Sequence, residues 1–412
     1  MIQSSVHRRT RSRFRHPRLA AILFGLLLAL ALAEAGLRLA GPTLAHARPS
    51  LFSPRVPFPY DTAALDDLAS GQSAIMLDPE LGWVNTPDFD QQGPTVYNRH
   101  NHAGLRADRE YSPTPAPGVR RIAAYGDSFT YCDDVNLADC WTRRLEERLP
   151  NTEVLNFGVV AYGPDQAWLR YQRGGAAWRP CAVLIGHMLE NINRVVNRFR
   201  PFYLPRDSRS VSKPRFVLDG DGLRLLPNPV RSVEQLKDPG WVEANLGPDD
   251  AWYFPGTFVP NPLDRLDLVR LIRSAAYRNV HDQKAMAWGP GTAERLYQPG
   301  NEAFEVVVRV LSGFAEQVRA DGATPVVLVF PTTGEFRSLR SGGPRPYAAL
   351  LDALRQRDVP TIDLGDALGE QSRTSAPQDL AARHYTPLGN SVVAHALADR
   401  LPALTARTCG AG

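Results

Sequence analysis

Short apolar runs alternate along this chain with longer segments whose apolar residues recur every three or four positions. The apolar runs lie at 121–125, 152–158, 181–187, 325–330 and 359–363, and each has the length of a buried strand. Helical spacing occupies about 137–149, a segment ending near 171, 302–320, 345–357 and 387–401. Strands that alternate with helices predict a five-stranded, mostly parallel sheet with helices on both faces, a three-layer α/β/α architecture.

Two regions interrupt this alternation. Residues 199–299 contain twelve of the 35 prolines and one plausible helix, at about 264–277. We interpret this region as an irregular insertion over one edge of the sheet, either a lid or a small structural addition. Residues 42–117 begin with a proline-containing linker and continue without clear periodicity, which predicts strands and turns packed on the main domain or a spacer from a membrane.

The N-terminus combines a basic and an apolar segment. Residues 1–18 contain six arginines and no acid, and residues 19–33 carry no charge. At ~1.5 Å per residue those fifteen positions cover only ~22 Å of a ~30 Å hydrocarbon core. Extension to residue 41 reaches bilayer length and includes Glu34 and Arg38, which lie four apart and can pair on one helix face. A transmembrane anchor at 19–41, with its basic end in the cytoplasm, is therefore predicted.

A cleaved signal peptide is the alternative. Small residues at Ala31-Leu32-Ala33 and at Ala45-His46-Ala47 fit a signal-peptidase site. Under either interpretation the globular part of the chain is exported. The anchor places it on the extracytoplasmic side of the inner membrane, and cleavage would make it a secreted protein.

Charge argues against a nucleic-acid partner. The chain has a formal net charge of +4, but its basic excess lies entirely in the first 18 residues. Without them it carries 41 basic and 43 acidic residues, a net charge of −2. A folded region without a basic excess does not fit a phosphate-binding surface.

These patterns divide the chain into six segments. They are a basic cytoplasmic segment (1–18), the anchor or signal peptide (19–41), a linker and N-terminal extension (42–117), a first core part (118–198), the insertion (199–299) and a second core part (300–405).

Four cysteines, at positions 132, 140, 181 and 409, bear on the compartment and on metal binding. An exported compartment permits disulfides, and Cys132 and Cys140 are close enough in sequence to bridge or to remain two free thiols. No cysteine pair has metal-ligand spacing. We predict no metal and no cofactor.

Polar residues with catalytic potential lie where predicted strands end. Gly126-Asp127-Ser128 follows the first strand, with Gly126 allowing a sharp turn and Asp127 bracing it. A serine before a helix N-terminus lies close to backbone N–H groups that can stabilise an oxyanion. Asn191 follows the third strand, and His384 lies in the loop before the last helix. Ligands of such sheets bind at the carboxyl ends of the strands.

Four blocks together resemble the SGNH (GDSL-type) hydrolase superfamily. The blocks are Gly126-Asp127-Ser128, Asn156 to Ala161, Gly186 to Asn191, and His384 with Gly389. They occur in the family order and cover about 118–198 and 300–403. The resemblance implies a flavodoxin-like sheet, with Ser128 as nucleophile and His384 as general base. It also implies oxyanion donors from the Ser128 N–H, the Ala161 N–H and the Asn191 side-chain amide.

The chain departs from the family pattern in three ways. Ala161 replaces the usual glycine, which a backbone donor tolerates if φ stays negative. Ile192 replaces the aspartate that usually follows the asparagine. Ala381 and Ala382 occupy the positions where the family places the aspartate that orients the histidine. Asp379, five residues before His384, is the candidate for that role if the loop bulges; a Ser–His dyad or an inactive site are the other outcomes.

The predicted function is a serine esterase that removes O-acyl groups, acetyl above all, from an envelope or exported glycan. An O-acetyltransferase using the same serine and histidine is the first alternative, because only the acceptor differs. A catalytically inactive glycan-binding or assembly protein is the second.

Overall fold

The computed structural model describes residues 17–52, 55–58, 62–93, 96–205, 209–284 and 296–410. Most of the predicted basic segment lies outside the described residues. The chain divides into two compact units: Met1–Pro59 with Gly256–Val280, and Tyr60–Pro255 with His281–Gly412. The second unit holds the sheet, most of the N-terminal extension and most of the insertion.

Each of the five predicted apolar runs lies within two residues of an observed strand, and the described residues form eleven strands in all. They are β1 (Ile75–Asp78), β2 (Gly82–Asn85), β3 (Asp90–Gln92), β4 (Tyr97–Arg99), β5 (Arg120–Tyr125), β6 (Thr152–Asn156), β7 (Ala182–Met188), β8 (Arg215–Asp219), β9 (Gly222–Leu226), β10 (Thr324–Phe330) and β11 (Thr361–Asp363).

Five of these strands form one parallel sheet in the order β11-β10-β7-β5-β6. Numbered along the chain, this is the 2-1-3-4-5 order of flavodoxin-like folds. Ala124 pairs with Asn156 on one side of β5, and Tyr125 pairs with Ile185 on the other. The carboxyl ends of β5, β6 and β7 therefore meet at one edge. The remaining strands form the hairpins β1–β2, β3–β4 and β8–β9.

Helices connect the strands, and their bounds follow. They are α1 (Pro17–Ala47), α2 (Pro49–Phe52), α3 (Ala63–Ser70), α4 (Ser128–Tyr131), α5 (Trp141–Arg148), α6 (Pro164–Gln172), α7 (Asn191–Arg194), α8 (Arg200–Tyr203), α9 (Val233–Lys237), α10 (Pro239–Leu246), α11 (Asp267–Lys284), α12 (Glu302–Ala320), α13 (Thr333–Arg340), α14 (Ala348–Arg355), α15 (Gly365–Gln371), α16 (Pro377–Leu380) and α17 (Pro387–Cys409).

Hydrophobic cores cover both faces of the sheet, which confirms the three-layer prediction. One core packs Tyr125 and Val183 against helices α6, α12 and α14. The other packs Ala124 and Leu184 against α5, α15 and α17. Neighbouring residues of one strand enter opposite cores because side chains alternate across a sheet.

The last helix runs eight residues beyond its predicted end at 401. Cys409 on its final turn forms a disulfide with Cys181, at the start of β7, with a Cα–Cα distance of 5.1 Å. This disulfide joins positions 228 residues apart, so no local sequence pattern predicts it. The bond attaches the end of α17 to the amino end of the central strand.

Helix α1 is the one helix among the described residues that is long and apolar enough to cross a membrane, over Arg18–Ala47. Glu34 and Arg38 form the predicted ion pair, with 2.6 Å between Oε1 and Nε. A retained anchor and a signal sequence both have such a helix.

Candidate active site

Ser128 occupies the first turn after the carboxyl end of β5. Asp127 caps the following helix α4, because its Oδ1 accepts a hydrogen bond of 2.9 Å from the Phe129 N–H. A Cβ at Gly126 would lie 2.2 Å from the Thr130 hydroxyl oxygen. Glycine is therefore required by close approach at this turn. The turn leaves Ser128 only 4% exposed.

Asp127 also belongs to a buried charged network. Its Oδ2 lies 3.7 Å from Arg194 Nη1, and Arg194 forms a second ion pair with Glu190. Burial raises the pKa of Asp127, and the Arg194 guanidinium opposes that rise. Arg194 donates further to the Tyr162 carbonyl at 2.7 Å. The network therefore joins the serine turn to α7 and to the turn after β6.

His384 contacts the serine directly. Its Nε2 lies 2.9 Å from Ser128 Oγ, and its Nδ1 lies 2.7 Å from Asp134 Oδ2. An ionised carboxylate only accepts, so Nδ1 carries the proton and Nε2 is free to accept from the serine hydroxyl. The result is a continuous Ser128–His384–Asp134 hydrogen-bonded chain, the geometry of a serine-hydrolase triad.

The acid in this chain is not the one predicted from sequence. The Asp379 carboxylate accepts from the Ala376 N–H at 3.1 Å, where it completes the first turn of α16. Asp379 could have reached His384 only through a bulge in the loop between them. The Thr386 hydroxyl instead donates to the Asp379 and Leu380 carbonyls. The structure therefore does not bring Asp379 to the histidine.

Asp134 reaches His384 from the loop that follows the nucleophile. Cys132 and Cys140 form a disulfide across this loop, with a Cα–Cα distance of 5.4 Å. Cys132 and Asp134 both have left-handed backbone, with φ of 64° and 70°, and the Asp133 N–H donates to the Ser128 carbonyl at 2.9 Å. The only feature of the sequence that could have pointed to Asp134 is an Asp-Asp pair between two cysteines, shortly after the candidate nucleophile.

Charged neighbours keep Asp134 ionised. The hydrogen bond with His384 holds the pKa of the Asp134 carboxyl well below its usual range, and Arg383 adds to this effect. Arg383 Nη2 lies 2.6 Å from Oδ1, and Nε lies 3.1 Å from Oδ2. This fork geometry fixes the carboxylate plane.

The candidate oxyanion donors lie at the adjoining strand ends. The Ser128 and Ala161 N–H groups donate to no acceptor among the described residues. Asn191 is fully buried, and neither atom of its amide makes a hydrogen bond of ordinary geometry to a described residue. It lies near enough to Asp127 to counteract part of the rise in that carboxyl's pKa. Buried polar groups without partners are rare and fit a site that awaits a ligand.

The backbone of Ala161 differs from what the sequence analysis required of an alanine at this position. Its φ is 69°, so the condition of a negative φ is not met. The turn keeps the left-handed conformation that favours glycine although it holds an alanine. A non-glycine residue in this region costs about 1–3 kcal/mol and persists only where surrounding contacts hold it.

One cluster of metal-ligating side chains overlaps this site. Asp133, Asp134 and His384 each offer a ligand atom, all within 4.8 Å of one another. Both nitrogens of His384 already bond protein groups, and Asp134 is paired with Arg383. The donor set suits proton transfer better than metal binding.

Neither a protein-family model nor a curated protein sequence matches the chain. Solved structures similar to the chain include an acetylxylan esterase from Geobacillus stearothermophilus, at 12% identity over 71% of this chain and 95% of that one, with a TM-score of 0.36.

Two further neighbours are lipolytic proteins. A lipase/acylhydrolase from Enterococcus faecalis has 10% identity over 69% of this chain and 96% of that one, with a TM-score of 0.33. A member of the lipolytic G-D-S-L family from Veillonella parvula has 10% identity over 69% and 100%, with a TM-score of 0.30. These similar solved structures thus include GDSL-type lipolytic proteins and an acetylxylan esterase, all at low identity.

Proposed function

We propose that this chain is a serine esterase of the SGNH kind. The observation that carries the proposal is the hydrogen-bonded chain from Ser128 Oγ through His384 to Asp134, at 2.9 and 2.7 Å. Nucleophile, base and orienting acid come from positions up to 256 residues apart. Their alignment fits acyl transfer, because each group has the partner that its role requires.

The geometry suggests the following steps. Ser128 Oγ attacks the ester carbonyl while His384 Nε2 accepts its proton, and His384 then returns that proton to the leaving alcohol. Asp134 holds the imidazole in the correct tautomer and stabilises its charged form. The Ser128 N–H, Ala161 N–H and Asn191 amide stabilise the oxyanion, each by about 3 kcal/mol. Water, activated in the same way, releases the acyl group.

The proposed substrate is an O-acylated, above all O-acetylated, envelope or exported glycan. Support comes from the apolar N-terminal helix, which indicates export, and from two disulfides, which are typical of oxidising compartments. The catalytic unit would then face the extracytoplasmic side. An O-acetyltransferase would use the same acyl-enzyme. The inactive alternative rested on the missing aspartate, and the Asp134 carboxylate, 2.7 Å from His384 Nδ1, weakens that support.

A fluorophosphonate ester tests the nucleophile. The full chain in detergent is expected to be labelled at Ser128 at neutral pH. Ser128 Oγ attacks the phosphorus while His384 takes its proton, fluoride leaves, and the tetrahedral adduct resembles the tetrahedral intermediate of ester cleavage. Peptide mass spectrometry locates the adduct, and Ser128→Ala is the matched control. If the wild type is folded, as judged by circular dichroism, but is not labelled, both the esterase and the transferase proposals are wrong. Incubation of active protein with an acetylated glycan, with and without an unacetylated acceptor, separates the two.

A further inference from the structure

The N-terminal hairpin β1–β2 holds the turn that carries the candidate oxyanion donor Ala161. The Trp83 indole Nε1–H donates to the Val160 carbonyl at 2.9 Å, and the Tyr162 hydroxyl donates back to the Trp83 carbonyl. The two rings meet edge to face with centroids 5.5 Å apart. Trp83 is thereby hydrogen-bonded to both neighbours of Ala161 in the chain, Val160 and Tyr162.

The Trp83 bond acts on the same peptide group that supplies the donor. The Val160 carbonyl and the Ala161 N–H belong to one planar, trans peptide, so they point in opposite directions. Holding the carbonyl fixes the plane and therefore the direction of the N–H. A hydrogen bond to the carbonyl also polarises the N–H, because bonded peptide groups strengthen one another.

Neighbouring contacts immobilise the rest of this turn. Asn85 Nδ2 donates to the Gly158 carbonyl at 3.0 Å, and the Val159 N–H donates to the Gly126 carbonyl at 3.0 Å. Gln166 Nε2 donates to the Leu81 carbonyl at 2.7 Å, which attaches the hairpin to α6. These bonds explain how Ala161 keeps a φ of 69° without glycine.

We infer that Trp83 is a positioning residue of the oxyanion site, acting through the Val160–Ala161 peptide. This role rests on the proposed function. The N-terminal extension is then part of the catalytic machinery and not a spacer, since it orients a donor that stabilises charge only in the transition state.

Trp83→Phe tests the role, because phenylalanine keeps the ring contact with Tyr162 but cannot donate to Val160. We expect kcat to fall about 10- to 100-fold, less than for loss of a whole donor, with KM nearly unchanged. The rate of labelling by the fluorophosphonate should fall by a similar factor. The pH profile should stay as in the wild type, because His384 and Asp134 are untouched.

Trp168→Phe is the matched control, since its indole N–H has no acceptor among the described residues. If Trp83→Phe does not fold, replacement of the indole by isosteric benzothiophene removes only the N–H. A wild-type rate in a folded variant at position 83 would overturn the role of Trp83 alone. A wild type that is never labelled would overturn the proposed function and this role with it.

A second inference concerns the other compact unit, in which α1 contacts the start of α11. Glu34 Oε1 and Oε2 accept from the Asp267 and Leu268 N–H groups at 3.0 and 2.9 Å. Arg38 pairs with Glu34 and donates to the Arg265 carbonyl at 2.9 Å. The polar pair of α1 thus caps the N-terminus of α11, whose first N–H groups have no partner within their own helix.

Residues after α1 extend this contact. The Val56 N–H donates to Ser274 Oγ at 2.8 Å, and the Phe58 ring meets Tyr277 edge to face at 5.1 Å. Cleavage after Ala47 would remove Glu34 and Arg38 and leave the first N–H groups of α11 uncapped. These contacts favour retention of α1.

Apolar side chains beside this contact are exposed. Leu263 is 62% exposed and Ile272 is 59% exposed, and Glu34 directly follows the uncharged stretch 19–33. The segment that Glu34 caps therefore lies beside the outer part of the predicted span 19–41, where the uncharged stretch gives way to charged residues. We infer that α1 is retained as an anchor and that 256–280 lies on the outer bilayer surface, with Leu263, Leu266 and Ile272 entering the acyl boundary.

The full chain in lipid nanodiscs tests this surface. All four cysteines are in disulfides, so a fluorophore attached to Leu263→Cys or Ile272→Cys reports on one site. Lipids with a spin label near the headgroup should quench both positions. The same two positions in nanodiscs that lack the spin label should stay bright. Equal brightness with and without the spin label would overturn the inference, as would a mature protein that begins at Glu34 or Arg48. Quenching that appears only when two copies of the chain share a nanodisc would overturn it as well.

Discussion

Asp134→Asn is expected to lower kcat/KM for an acyl ester by about 10³- to 10⁴-fold, the range in which triads lose activity when the acid becomes an amide. The amide cannot select the tautomer in which Nδ1 carries the proton, nor stabilise the imidazolium that forms during the reaction. The pH profile of kcat/KM should change shape as well. Steady-state kinetics with a chromogenic acetyl ester between pH 5 and pH 9 measures both effects.

Asp379→Asn is the matched control, because it makes the same substitution at the acid that the sequence alone suggested. Its carboxylate bonds the Ala376 N–H, so activity should stay near the wild-type value. The opposite ranking of the two variants would show that the working enzyme uses Asp379. Unfolding should be little affected by Asp134→Asn, since Asp134 and its partner Arg383 are exposed to solvent by 37% and 67%.

Asn191→Ala is expected to lower kcat by about 10²- to 10³-fold, the usual cost of removing one oxyanion donor. The free energy of unfolding should change by less than about 1 kcal/mol, because the amide has no hydrogen bonds of ordinary geometry to lose. Chemical denaturation and steady-state kinetics on the same preparation separate the two effects. A substitution that lowers activity without lowering stability is characteristic of a residue whose partner is the ligand.

Asn197→Ala supplies the contrast. Asn197 is also buried, but its Nδ2 donates to the Phe199 carbonyl and to Asp250, both at 2.8 Å. Its loss should cost about 1–3 kcal/mol of stability while the chemical step is kept. Full activity in Asn191→Ala would remove Asn191 from the oxyanion site. A large loss of stability in that variant would mean that the amide is structural.

The architecture follows from local patterns because a buried parallel strand needs a continuous apolar run and its crossover needs helical spacing. The runs at 121–125 and 181–187 became β5 and β7 with small shifts. Helix α11 began three residues later and ended seven residues beyond its prediction at 264–277. Helix ends depend on caps, and this cap comes from Glu34, far away in sequence.

The catalytic arrangement was only partly readable from the chain. Ser128, Asn191 and His384 follow strand ends or precede a helix, and a parallel sheet brings such positions to one edge whatever their separation in sequence. Order and spacing therefore sufficed to single them out. Their roles as nucleophile, oxyanion donor and base remain predictions that the variants above test.

By itself the sequence determined the alternation of five strands with helices and the turn at Gly126-Asp127-Ser128, because these depend on local periodicity and turn chemistry. The strand order and the roles of Ser128 and His384 were implied by the resemblance to the SGNH family. Only the tertiary structure decided which acid faces His384. Asp134 reaches it through left-handed residues in a loop closed by the Cys132–Cys140 bond, and Trp83 reaches Val160 across 77 residues. Such contacts depend on backbone direction and on long-range packing, which spacing along a chain does not encode.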